Sequence, residues 1–78
     1  MQGIGKHLNN RLKNIGKAIG RIRRQQKLSQ IDLAVLVGID RAYLSEIENG
    51  RRNVSINILF AIADALDVSI IELLSEAQ

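Results

Sequence analysis

Residues Gln30 to Gly50 read QIDLAVLVGIDRAYLSEIENG, and their small, apolar and polar side chains fall where two short helices crossing at a tight turn require them. Ser29 is placed to N-cap the first helix, its hydroxyl accepting from an unpaired backbone N–H. Asp32 adds negative charge where the helix dipole favours it. Leu33, Ala34 and Val37 share one face, and Gly38 supplies the backbone freedom used at helix C-termini and sharp turns. Asp40 is an N-cap for the second helix, where Leu44 and Ile47 lie three apart on one face before Gly50 ends it. The stretch predicts a helix over 30–37, a turn, and a helix over 41–49.

Upstream, Ile4, Leu8, Leu12, Ile15, Ile19 and Ile22 recur every three or four residues and form an apolar stripe roughly 80° wide at helical spacing. This predicts one long amphipathic helix over 8–26, with residues 1–7, which include Gly3 and Gly5, expected to fray. Gly16 and Gly20 sit beside the stripe, where close packing of a neighbouring helix is the expected use. Downstream, the polar loop GRRNV precedes Ser55, an N-cap for a helix over 56–66 whose core face is Leu59, Ile62, Ala63 and Leu66. Ser69 and Glu72 have capping-box spacing and start a last helix over 70–76. With no Pro, no β-alternation and no repeat, the expected fold is all-α: a compact five-helix domain spanning 1–78 with the 30–50 helix pair at its centre.

Composition narrows the function. At 78 residues and 46% hydrophobic, the chain can form a core of a size that self-association would help stabilise. It has no Cys and a single His, so neither a disulfide framework nor a multi-histidine metal site is available within one chain. Apolar runs fall far below the ~18 residues of a membrane span, and no signal-peptide pattern opens the chain, so a cytoplasmic location is expected. The net charge of +3 is unevenly spread. Residues 1–27 hold eight of the 11 Lys and Arg and no acid, leaving three basic and eight acidic side chains in the rest. One end is thus suited to meet a polyanion; the plainer alternative is a solvated helix face.

The spacing of Gln30, Ala34, Gly38, Leu44 and Ile47 resembles the helix-turn-helix of the Cro and phage-repressor family of transcriptional regulators. The match continues through LSQIDLA, YLSEIENGRRN and ILFAIADALDVSIIELL, covering about residues 15–74. DRAYLSEIENGRRNVSI is most similar to the controller proteins of restriction-modification systems. The resemblance implies a sequence-specific regulator of double-stranded DNA, acting as a homodimer on a palindromic operator. It also implies that Gln30 bonds a phosphate and braces the reading helix, and that Arg23 and Glu48 pair internally. A major groove admits an α-helix, and guanine offers acceptor pairs that suit the fork of arginine. Opposite the core face of the second motif helix stand Ala42 and Asn49, with Ser45 and Glu46 beside them and Arg41 at the flank.

Arg41 is the leading candidate base reader, joined by Ala42, Tyr43, Ser45 and Glu46. The methyl of Ala42 suits a thymine methyl. Tyr43 is read either as half-buried packing or as a hydroxyl reaching phosphate or base. Glu46 suits a cytosine amino group or a pairing with Arg41 or Arg51, the pairing being preferred. Asn49, Arg51, Arg52 and Asn53 are assigned to backbone phosphates together with Gln30, with a minor-groove entry open to Arg51 or Arg52.

Ile58, Ala61, Ala65, Ile70, Leu73 and Leu74 exceed what one small core buries, and a two-fold dimer through these residues is expected to set two reading helices about one DNA turn apart. Ile31 and Val35 form a smaller apolar pair. In activators of this family that surface can touch RNA polymerase through acids, of which Asp32 is available here, but packing against the first helix is the expected use. Two other classes compete. One is an antitoxin-like module gripping a toxin through the apolar C-terminal helices; the other is a basic amphipathic helix lying on anionic membrane or RNA. An enzyme is disfavoured on residues: GIGKH lacks the earlier glycine, the Ser/Thr and the strand of a phosphate-binding loop, and His7 has no fixed partner. No cofactor or metal is implied.

Overall fold

A computed structural model describes residues 2–78, with side chains from residue 10 onward. It contains α1 (Gln2–Gln25), α2 (Gln30–Val37), α3 (Arg41–Glu48), α4 (Ile56–Ala65) and α5 (Ile70–Glu76). α1 starts ahead of the expected residue 8. Residues 2–7, expected to fray, are helical, since Gly3 and Gly5 are carried as part of one continuous α1; Met1, and the readings of His7 and GIGKH as side chains, lie outside the described residues. α3 and α4 each stop one residue short of their predicted ends, because Asn49 and Leu66 serve as C-caps.

Apolar residues from all five helices converge on one core. Ile19 from α1, Leu33 from α2, Leu44 and Ile47 from α3, Ile62 and Leu66 at α4, and Leu73 from α5 are all essentially inaccessible to water. α1 packs on α3 and α5, α2 packs on α3 and α4, and α4 packs on α5. Polar ties secure the ends of these elements. Gln26 donates to the carbonyl of Leu66 at 2.6 Å, and Arg21 donates to the carbonyl of Glu76 at 2.8 Å. Both carbonyls belong to helix ends that lack intrahelical partners.

Three expectations need correction. Leu73 is fully buried in the core and is unavailable to a dimer partner, since α5 is too short to spare its central leucine. Ile31 and Val35 do not pack on α1; they are 59% and 74% exposed, because Leu33 and Ala34 take the inward face of α2 and Ile31 and Val35 lie opposite it. The complete capping box stands at Ser29 and Asp32, where hydroxyl and carboxylate each accept the other's backbone N–H at 3.0 and 2.9 Å. At Ser69 and Glu72 the hydroxyl half alone is formed among the described residues. The shorter Asp side chain makes the return bond that the Glu side chain does not. Among the described residues no helix is long and apolar enough to cross a membrane.

Candidate nucleic-acid interface

The turn between α2 and α3 is built from three short-range devices. Gly38 adopts φ +87°, and its N–H and that of Ile39 both donate to the carbonyl of Ala34, at 2.9 and 3.0 Å. This left-handed step suits glycine, which has no Cβ to clash. Asp40 then accepts the backbone N–H of Tyr43 at 2.8 Å and starts α3 in its new direction. Leu44 and Ile47 anchor α3 inward. Arg41 and Ala42 are exposed as a result, and Tyr43, Ser45 and Glu46 are half-buried.

A glycine contact seats α3 against α1. A Cβ on Gly16 would lie 2.3 Å from the Ile47 carbonyl oxygen and 2.5 Å from that of Glu48. No side chain fits there, so the C-terminal turn of α3 rests directly on the α1 backbone. Beside this contact Arg23 donates from Nε to Glu48 at 2.8 Å and from a terminal nitrogen at 3.0 Å, a two-pronged pair with both side chains about nine-tenths buried. The remaining guanidinium nitrogen of Arg23 donates to the Leu28 carbonyl at 2.9 Å. Glu48 also accepts from Gln30 at 3.1 Å, and the amide oxygen of Gln30 accepts from Arg41 at 3.4 Å. An unbroken polar line thus leads from the buried pair through the start of α2 to the exposed arginine at the start of α3. The buried part, where every guanidinium nitrogen of Arg23 is bonded, holds its side chains in fixed geometry; the last link, to Arg41, is long and exposed.

The outer side of α3 carries a second, exposed cluster. Glu46 accepts a short hydrogen bond from Nε of Arg52, whose guanidinium also stands 5.3 Å from the centre of the Tyr43 ring. The carboxylate raises the Arg52 pKa, first by its hydrogen bond and then by its charge. The sequence reading gave Glu46 to Arg41 or Arg51, and the structure gives it to Arg52. Gly50, at φ +70°, and the Arg51 N–H, which donates to the Glu46 carbonyl at 2.9 Å, turn the chain back so that Arg52 returns over α3. Asn49 donates its side-chain amide to the Ser45 carbonyl at 2.8 Å, closing the last turn. Arg51 and Asn53 are exposed in the loop that follows.

Of the residues assigned to bases and phosphates, Arg41, Ala42, Tyr43, Ser45 and Glu46 share one helix, with Gln30 beside its start and Asn49 to Asn53 at its end. Sequence reasoning did not place the Gln30–Glu48 and Arg52–Tyr43 contacts. These pairs are separated by 18 and nine positions (52 − 43) and carry no periodic signal. The Ile58, Ala61, Ala65 and Ile70 side chains are partly buried in this chain, and Leu74 is exposed.

The helix-turn-helix family model matches residues 19–73. The control protein C.MunI from Mycoplasma sp is 38% identical over 64 residues, covering 81% of this chain and 86% of that protein. The immunity repressor of Bacillus phage phi105 is 37% identical over 62 residues, which is 80% of this chain but 43% of the repressor. The crystal structure of the restriction-modification controller protein C.AhdI from Aeromonas hydrophila superposes with a TM-score of 0.78 at 40% identity, covering 80% of this chain and 94% of that one.

Proposed function

The chain belongs to the helix-turn-helix family of DNA-binding transcriptional regulators, and on that premise we propose that it acts as a homodimer on a palindromic operator in double-stranded DNA. The observation that carries this reading is the Arg23–Glu48–Gln30–Arg41 line, which ends at the exposed start of α3 on a cation with no carboxylate partner among the described residues. An arginine braced there suits the paired acceptors of a guanine in the major groove. Ala42 and Ser45 contribute neighbouring base contacts, while Tyr43 and Glu46 act through Arg52, whose position they fix. Gln30, Asn49, Arg51 and Asn53 position the backbone. The likeness to C.MunI and C.AhdI supports a controller of a restriction-modification operon in the cytoplasm. Its neighbours in the genome would be a methyltransferase and a restriction enzyme.

Sequence selection from a random DNA pool tests the reading directly. The wild-type chain should enrich a two-fold symmetric site. Arg41→Ala should relax one position in each half, at a cost of ~1–3 kcal/mol of discrimination, without lowering the thermal midpoint. An unchanged preferred sequence in Arg41→Ala removes Arg41 from its role.

A further inference from the structure

α1 carries a row of cations along the edge of the candidate interface. At about 100° per residue, Lys13, Lys17 and Arg24 fall within roughly 40° of one another, just outside the Gly16 and Gly20 edge that seats α3. All three are exposed, and none takes part in the ion pairs among the described residues, which use Arg21, Arg23 and Arg52. Two close approaches fix where the row lies. At one end a Cβ on Gly50 would stand 2.7 Å from Lys13 Cα, so Lys13 abuts the start of the loop that carries Arg51 to Asn53. At the other end a Cβ on Gly20 would meet the Arg24 guanidinium at 3.0 Å and a Glu48 carboxylate oxygen at 3.1 Å. That same oxygen accepts from Gln30. The row therefore runs from the loop after α3 to the start of α2, beside the surface that presents Arg41.

Its length also fits. From Lys13 to Arg24 the helix rises about 16 Å, while each strand of a DNA duplex offers a phosphate every ~3.4 Å of axis. A competing structural use exists for each of its members. Lys13, against Gly50, and Lys17, next in sequence to the Gly16 that meets the Ile47 and Glu48 carbonyls, stand near the C-terminus of α3, where positive charge favours the helix dipole, but exposed charges contribute little there. Arg24 lies in the last turn of α1 itself, where an exposed charge likewise adds little through the helix dipole.

We propose that Lys13, Lys17 and Arg24 form a backbone-binding rail, contacting DNA phosphates that flank the bases read by α3. This rests on the reading of α3 as the DNA-facing helix. Lys13 and Lys17 precede residue 19, where the family match begins.

The test measures equilibrium binding over a salt series, using a duplex selected from a random pool by the wild-type chain and an unrelated duplex. The variant Lys13→Gln/Lys17→Gln/Arg24→Gln should lower the slope of log K against log salt by about 0.9 per lost contact, or roughly 2 to 3 in all. It should weaken both duplexes by the same factor, select the same sequence and keep the wild-type thermal midpoint. Arg11→Gln removes a charge about 160° around α1 from Lys13 and should leave the slope at its wild-type value, unlike Lys13→Gln. A wild-type slope in the triple variant, or an equal drop in Arg11→Gln and Lys13→Gln, overturns the rail. If the wild-type chain selects no sequence at all, the reading of α3 fails, and the slope on the unrelated duplex still decides the rail.

Discussion

Glu48 joins the buried ion pair to the residue proposed to brace Arg41. It accepts three hydrogen bonds, two from Arg23 and one from Gln30, and is itself about nine-tenths buried. Removing one member of a buried pair leaves the other charge stranded, at a cost of roughly 3–5 kcal/mol. That is a large part of the ~5–15 kcal/mol that holds a small domain together. Glu48→Ala should therefore move the urea midpoint down sharply. Arg23→Met/Glu48→Leu, which removes both charges, should recover much of the loss. Equal destabilisation in the single and double variants would show that the pair's charges do not depend on each other. The double variant should stay folded yet bind DNA with relaxed specificity, because Gln30 loses its anchor and no longer holds Arg41. Glu46 and Arg52 lie at the other extreme: both are about half exposed, so their bond steers Arg52 and adds little to stability.

At the level of elements, the caps and the glycine contacts decide where α2 and α3 sit. Asp32 is fully exposed, and the Ser29 backbone N–H, followed by the Ser29 hydroxyl, holds its carboxyl below the ordinary aspartate value. A carboxyl with a depressed folded-state pKa adds stability above its unfolded pKa and loses it as pH falls through the folded value. The thermal-midpoint gap between wild type and Asp32→Ala should thus be open at neutral pH and close in the acid range below the ordinary aspartate pKa. A gap that persists there would assign the effect to helix propensity instead. Gly16→Ala probes packing. Its Cβ would overlap the carbonyls of Ile47 and Glu48, which are backbone atoms and cannot rotate away. Overpacking of this kind costs about 1–3 kcal/mol, or ~4–8 °C of thermal midpoint per kcal/mol in a domain this size. Gly38→Ala meets no neighbour and should lose stability through its positive φ alone. The elements were legible because their signals are local: Ser29, Asp40, Ser55 and Ser69 each cap the helix they precede. The inward face of α2, Leu33, Ala34 and Val37, was legible, but its outer face was not, since Ile31, Val35 and Leu36 complete a ring of apolar side chains around an eight-residue helix and blur its periodicity.

For the whole molecule, the question is what covers the apolar surface left outside the core. Leu73 was indistinguishable from Leu74 in sequence, yet one is sealed in the core and the other is 40% exposed. Burial at neighbouring positions of a short helix is settled by which helix it meets, and α5 meets both α1 and α4. The proposed two-fold contact therefore relies on Leu74 and Ile70 of α5 with the Ile58, Ala61 and Ala65 side of α4. Symmetry doubles the effect of any one change, because each side chain appears twice in such an interface. Full burial of a leucine is worth ~1.5–3 kcal/mol; two copies, each hiding its exposed part, contribute on the order of 1–2 kcal/mol. Leu74→Glu replaces that gain with a carboxylate that must be desolvated, so the dimer should weaken by more than about tenfold. Sedimentation equilibrium checks this, and a concentration-dependent thermal midpoint in wild type should flatten in the variant. Binding to a single half-site should be unaffected in Leu74→Glu, while affinity for the full palindrome should fall with the dimer. A variant that remains as dimeric as wild type would move the contact elsewhere, and the exposed Ile31 and Val35 face of α2 is another apolar surface to test.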